Sequence, residues 1–433
     1  MNTPSLRLRA GLAAVVLLAA SLPALAAGAG LPAAAPESLG FSAERLARID
    51  QFMDGEIAAK RKAGAVVLVA RHGKIAYFKA YGTADLASGR PMRSDDYFRL
   101  WSMTKPVTSV ALLTLYEQGK FRLTDPLAKY IPGFAKARVL AGVDAMGQPS
   151  YEDPKRPITI QDVMRHTAGL TYGYFGDTPV DAAYRKAGVD YEKQDSVQSL
   201  SEAMAAMPLL YQPGTRWVYS FSHEVQARLV EIFSGMRFDA YCRKAIFEPL
   251  GMKDTFFGIP EERRARFAQS YSQGPDGKLA VTALSRLLAT APGSGHDDYD
   301  HFTQHPFGGA GLASTPLDYL RFAQMLLNGG ELDGHRVLGR KTVELMSTNA
   351  LPEGLTIGEP GEGYGLGVGV TTSPALAGHL GSAGSFGWGG IASTRVVIDP
   401  KEDLVALLFT QYVPSDYGFI DPSMALIYQA LVK

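Results

Sequence analysis

The chain has 433 residues, 46% of them hydrophobic and 20% charged, so it can bury a large core and is not a disordered polymer. Its 43 Lys+Arg balance 43 Asp+Glu for a formal net charge of zero, which leaves no electrostatic footprint for nucleic acid. The single cysteine, Cys242, excludes an internal disulfide, a zinc finger and an iron–sulfur site, and its helical surroundings read as those of a small buried apolar side chain.

The first 26 residues read as an export signal. Arg7 and Arg9 precede an apolar run from Ala10 to Leu22, and Ala24-Leu25-Ala26 places small residues at a cut after Ala26. The run is broken by Ser21 and Pro23 and is too short for a permanent membrane span. The expected location is therefore periplasmic or secreted.

After a Pro/Ala-rich stub, Ser42 predicts a helix N-cap, followed by Leu46, Ile49, Phe52, Met53 and Ile57 at helical spacing. The period then shortens. Residues 65–70 and 74–78 read as strands joined by a turn at His72-Gly73. From about Pro106 to about Ala289 the pattern is mostly helical with long irregular loops, punctuated at Pro132-Gly133, Pro213-Gly214 and Pro249-Leu250-Gly251. Strand signals return at 395–398 and 404–409, and Asp421-Pro422 predicts the start of a last helix. The expected architecture is α/β. A discontinuous domain (37–105 and 290–433) carries an antiparallel sheet built from both chain ends and flanked by helices, because its strand links are too short for parallel crossovers. A mostly helical domain (106–289) is inserted, and the cleft between the two is a natural ligand site.

The chemistry begins at Ser102-Met103-Thr104-Lys105. Ser102 sits at a helix start and Lys105 lies three residues on, on the same helix face. A serine hydroxyl is a weak nucleophile until a neighbour takes its proton. A lysine can do so once burial or nearby charge lowers its pKa. S-x-x-K alone is also met as an N-cap serine with a solvated lysine. No serine sits in G-x-S-x-G, so the nucleophile elbow of α/β-hydrolases is absent.

The segment from Trp101 to Ser109 resembles the nucleophile segment of β-lactamase-fold serine hydrolases. Four further segments are similar in the same order: Leu123–Gly133, Asp162–Leu170, Gln212–Ser220 and Phe247–Thr255. From about Leu39 to the C-terminus the chain thus resembles class C β-lactamase-like serine hydrolases, a group with D-aminopeptidases and, closest, family VIII carboxylesterases. The resemblance implies a β-lactamase/transpeptidase-like fold, with Ser102 as nucleophile and Lys105 and Tyr219 sharing the general-base role. Where β-lactamases carry Tyr-x-Asn, this chain reads Tyr219-Ser220-Phe221, and phenylalanine cannot bond a substrate amide. In place of Lys-Thr-Gly stands Trp388-Gly389-Gly390, with His379-Leu380-Gly381 as the other possibility. The family implies that the backbone N–H groups of Ser102 and Ile391 form the oxyanion hole. Trp101, Trp217 and Trp388 fall in or beside these motifs and read either as an aromatic substrate wall or as core packing. Tyr172, Tyr174 and Phe175 read as an extension of the same rim.

The missing asparagine and lysine point to short-chain carboxylic esters as substrates. The alternatives are a β-lactamase or D-amino-acid peptidase of the same fold, or a non-catalytic binder of cell-wall fragments. No cofactor is expected: Phe307-Gly308-Gly309-Ala310-Gly311-Leu312 lacks the Lys-Ser/Thr of a phosphate loop and resembles the family's glycine turn before a helix at 316–328. The run from Gly295 to His305 contains acids and histidines without a recognised metal-ligand spacing, so no metal is expected. His166 reads as structural.

Overall fold

The computed structural model describes Met1 and residues 30–191, 193–258, 260–282 and 305–433. The export signal and the run from Gly295 to His301 lie outside the described residues.

Ser42 caps helix α1 (Ala43–Ala58), its hydroxyl accepting from the Arg45 amide at 3.3 Å, and the apolar stripe Leu46, Ile49 and Met53 is buried. Strands β1 (Gly64–Arg71) and β2 (Lys74–Asp85) form a hairpin. Its turn places His72 and Gly73 at φ 52° and 68°, the left-handed pair whose twist matches the flanking strands. Strand β3 (Arg90–Pro91) adds to the outer side. The rest of the sheet comes from the other end of the chain: β4 (Glu362–Tyr364), β5 (Gly369–Thr371), β6 (Phe386–Gly390), β7 (Thr394–Asp399) and β8 (Leu404–Thr410). The order is β4-β5-β6-β7-β8-β1-β2-β3, antiparallel throughout, with Ala65 opposite Thr410 and Arg71 opposite Leu404 at the centre.

Every residue of β1 and β8 is buried because both faces of the sheet are covered. Side chains alternate across a strand. Val67, Val69, Ala406 and Leu408 pack with α1 and with the C-terminal helix α5 (Tyr417–Tyr428) through Leu46, Ile49, Phe419 and Ile420. Val66, Leu68, Val405, Leu407 and Phe409 enter a larger core with helices α2 (Thr104–Glu117), α3 (Ser222–Ser234) and α4 (Pro316–Leu327). Each such side chain, fully buried, contributes roughly 1.5–3 kcal/mol.

Helix α2 is buried at every position from Thr104 to Leu115. Pro106 falls in its first turn, where no intrahelical N–H bond is lost. Gly119, at φ 70°, closes the end by donating to the Tyr116 carbonyl at 2.9 Å.

Two expectations need correction. The last helix begins at Tyr417, not after Asp421, and holds Pro422 inside it. Burial of Phe419 and Ile420 against the sheet, with both amides bonded to the Asp416 carbonyl, draws the preceding turn into the helix. The mostly helical middle also contains two hairpins, Val139–Val143 with Pro149–Glu152 and Tyr271–Gln273 with Leu279–Val281; their strands, three to five residues long, give little or no readable alternation.

Candidate active site

Ser102 sits in a single 3₁₀ turn, Trp101–Met103, that leads into α2. The turn is anchored on both sides: the Leu100 amide donates to the Leu312 carbonyl at 2.9 Å, and the Tyr319 hydroxyl donates to the Met103 carbonyl at 2.8 Å. Trp101, immediately before the serine, is at φ 47°, a conformation costly for a bulky residue. The surrounding packing holds it there, and Ser102 remains half-buried at the cleft.

One turn on, the Lys105 side chain is fully buried. Its Nζ donates to Ser102 Oγ at 3.0 Å and to the Gly309 carbonyl at 2.8 Å. The Nζ also lies 4.8 Å from the Tyr219 ring centre and 5.6 Å from that of Tyr172. Tyr219 precedes α3, and its hydroxyl accepts from Trp388 Nε1 at 3.2 Å. The phenol of Tyr219, more than a hundred residues away in sequence, is thus brought beside the serine and amine.

They meet at a cleft of about 1490 Å³. Trp101, Tyr172, Tyr174, Phe175, Trp217 and Tyr219 line it together with Trp388, Gly389, Gly390 and Ile391. Gly390 passes so close to the nucleophile turn that an added Cβ would collide with the Leu100 carbonyl oxygen, so glycine is required by close approach. His379 also borders the cleft, but its Nε2 pairs with Glu362 Oε1 at 2.6 Å, whereas Trp388 touches Tyr219. Phe221, expected at the substrate, lies instead behind the wall: it is fully buried, 4.4 Å from the Tyr172 ring. Tyr172, which packs on it, lines the cleft.

His166 is fully buried, with Nδ1 3.0 Å from Ser220 Oγ, and its ring packs against Trp217, Tyr219, His223 and Tyr364. Burial, with Lys105 nearby, drives its pKa well down, so it is neutral. This is a structural position. Cys242 is buried too, and burial pushes its thiol pKa well up.

Sequence reading missed Glu224. Fully buried on α3, it accepts from the Gly308 and Gly309 amides at 2.6 and 2.7 Å and from the Tyr191 hydroxyl at 2.8 Å. Burial raises its pKa to about 7, against the lowering effects of Tyr191, Lys105 and the two amides. The available signal was an acid five residues beyond Tyr219, in the first turn of a helix otherwise bound for the core.

The signature of the beta-lactamase family matches residues 47–429. The chain belongs to that family. It is 30% identical over 393 residues to esterase EstB of Burkholderia gladioli, covering 85% of this chain and 91% of that protein. It is 28% identical over 397 residues to a putative D-alanyl-D-alanine carboxypeptidase of Escherichia coli K12, covering 88% and 85%. Among solved structures it resembles EstCE1, a hydrolase with promiscuous acyltransferase activity, at TM-score 0.71 and 25% identity, over 90% of this chain and 99% of that one. The protein is a serine hydrolase with the β-lactamase/transpeptidase-like fold, its antiparallel sheet flanked by helices as expected. Among the described residues no helix is long and apolar enough to cross a membrane.

Proposed function

We propose that this serine hydrolase cleaves short-chain carboxylic esters through an acyl-enzyme on Ser102. Lys105, assisted by Tyr219, takes the Ser102 proton as Oγ attacks the ester carbonyl, and the proton passes to the departing alkoxide. Water then attacks the acyl-enzyme, gives its proton to the same base pair, and frees the acid and Ser102. The backbone amides of Ser102 and Ile391 hold the oxyanion in both steps. Losing one such donor typically costs about 2.7–4 kcal/mol of barrier stabilisation.

The 3.0 Å hydrogen bond from Lys105 Nζ to Ser102 Oγ carries this reading, because a nucleophile and base must be within bonding reach. The aromatic walls suit an apolar acyl or alcohol group. The absence of an amide side chain at Phe221 supports ester over lactam or peptide chemistry. The positive start, apolar run and small-residue site of residues 1–26 support export to the periplasm or medium.

Intact-protein mass spectrometry tests the reading. The protein is mixed separately with p-nitrophenyl butyrate and with a penicillin. A transient butyryl adduct on Ser102, turned over faster than any penicilloyl adduct, is the expected result. Faster turnover of nitrocefin or a D-Ala-D-Ala peptide than of the ester would move the assignment to the β-lactamase or peptidase alternative. No adduct with any of them would leave a binding protein.

A further inference from the structure

We propose that Glu224 is the positioning residue for the Lys105 amine, acting through the Gly308–Gly309 turn; the inference rests on Lys105 being the base for Ser102. Among the described residues, the Lys105 amine donates hydrogen bonds to Ser102 and to the Gly309 carbonyl, the latter at 2.8 Å. The turn that carries that carbonyl is held through the two peptide planes that precede it. The amides of Gly308 and Gly309 each donate to one oxygen of Glu224, at 2.6 and 2.7 Å, and the Gly308 carbonyl accepts from the Thr108 hydroxyl at 2.6 Å. The turn is thus clamped between α3 and α2.

Both glycines are needed for this approach. A Cβ on Gly308 would lie 2.5 Å from the His223 carbonyl oxygen, and one on Gly309 would lie 2.6 Å from Glu224 Oε1 and 2.8 Å from the Tyr191 hydroxyl.

The groups around the carboxylate favour its ionised form by geometry. Two amides and the Tyr191 hydroxyl all donate to it, so an added carboxyl proton would face a donor. Lys105 acts on it electrostatically, and Tyr172 interacts with both Tyr191 and Glu224. His223, next on the same helix, and His166 are held neutral by burial. Because burial lifts Glu224 to about 7, proton uptake falls in the working range. Below it, one acceptor becomes a donor, the turn loosens, and Lys105 loses the carbonyl that aims it. Activity should therefore show an acid limb near pH 7 set by Glu224.

The test uses the full chain, p-nitrophenyl butyrate hydrolysis from pH 5 to 9, and the rate of Ser102 labelling by a fluorophosphonate. Glu224→Gln keeps the shape but turns an NH₂ toward a backbone N–H. It should retain the wild-type circular dichroism, lower kcat about 10- to 100-fold with KM within about threefold, and abolish the acid limb. Glu224→Asp should recover part of kcat. Tyr191→Phe removes one donor from the carboxylate, so the acid limb should move to higher pH. A folded Glu224→Gln enzyme with wild-type kcat and an unchanged acid limb overturns the proposal. So does Tyr191→Phe with the limb unmoved, and this variant decides alone if Glu224→Gln does not fold. The failures separate: an unlabelled wild-type Ser102 sinks the ester reading, whereas equal labelling rates in wild type and Glu224→Gln sink only the role of Glu224.

Discussion

Trp388 Nε1 donates a hydrogen bond to the Tyr219 hydroxyl at 3.2 Å, and the two rings lie 5.6 Å apart. The bond joins β6 to the segment before α3 across the cleft mouth. It leaves the phenol oxygen as acceptor toward the indole and its proton directed elsewhere. Trp388→Phe removes the donor and keeps most of the ring. A neutral hydrogen bond is worth about 0.5–1.5 kcal/mol, so kcat should fall about 2- to 10-fold while Tm stays near wild type. Steady-state ester kinetics with thermal melts check this; an unchanged kcat would show that the contact only packs.

Removing the nucleophile should be far more severe. Ser102→Ala takes one oxygen from a half-buried site and should leave the fold intact, with ester turnover reduced by at least about 10³-fold and no covalent adduct by mass. Lys105→Met fills the same buried volume without an amine, and should give a comparable loss. Turnover surviving in either folded variant contradicts the proposed mechanism.

Two glycine substitutions should act in opposite directions. Gly390→Ala drives a methyl into the Leu100 carbonyl oxygen and Thr394 Oγ1, pushing β6 off the nucleophile turn; Tm and kcat should both drop, kcat by about tenfold or more. Gly55 lies within α1, and nothing approaches within 4 Å of a Cβ added there. Gly55→Ala should stabilise the protein by about 0.5–1 kcal/mol without changing ester kinetics. Denaturant melts of both variants give the comparison.

Asp162 supplies a pH-dependent part of stability. Its buried carboxylate accepts from Arg156 at 2.9 Å, from Arg165 at 3.1 Å and from the Thr159 amide at 3.0 Å. Burial raises its pKa, but Arg156 and Thr159 outweigh burial and hold it below its ordinary value. The stabilisation is therefore present above the unfolded-state pKa of about 3.9 and is lost as pH falls through the lower folded value. Asp162→Asn should cost about 3–5 kcal/mol at pH 7, and the Tm gap to wild type should narrow below about pH 4. A gap constant from pH 7 to 3 would exclude this account.

The parts legible in the sequence are those written in local pattern. Ser42 and the stripe Leu46–Ile49–Met53 specify α1 because cap and period agree. The turn at His72-Gly73 and the runs at 395–398 and 404–409 specify antiparallel strands for the same reason. The approach of Lys105 to Ser102 follows from three-residue spacing at a helix start. What pattern did not reveal depends on contacts made across the fold. Nothing in the local pattern singles out Glu224, whose meaning comes from two glycine amides 84 and 85 residues away. Phe221 lies next to a motif in sequence, yet it is fully buried against Tyr172. Pro422 is a sound start signal that tertiary packing of Phe419 and Ile420 overrides.

The pairing of β1 with β8 also governs when the protein can be completed on the ribosome. Thr410 Oγ1 reaches the Gly64 carbonyl at 2.8 Å across 346 residues of chain. At about 5–20 residues per second, the nascent β1 waits roughly 20–70 s for its partner. Throughout that interval its apolar edge is an open template for other strands. A ribosome-released fragment ending before Leu404 keeps that edge for good, so such fragments should need a holdase chaperone and should aggregate when it is withdrawn.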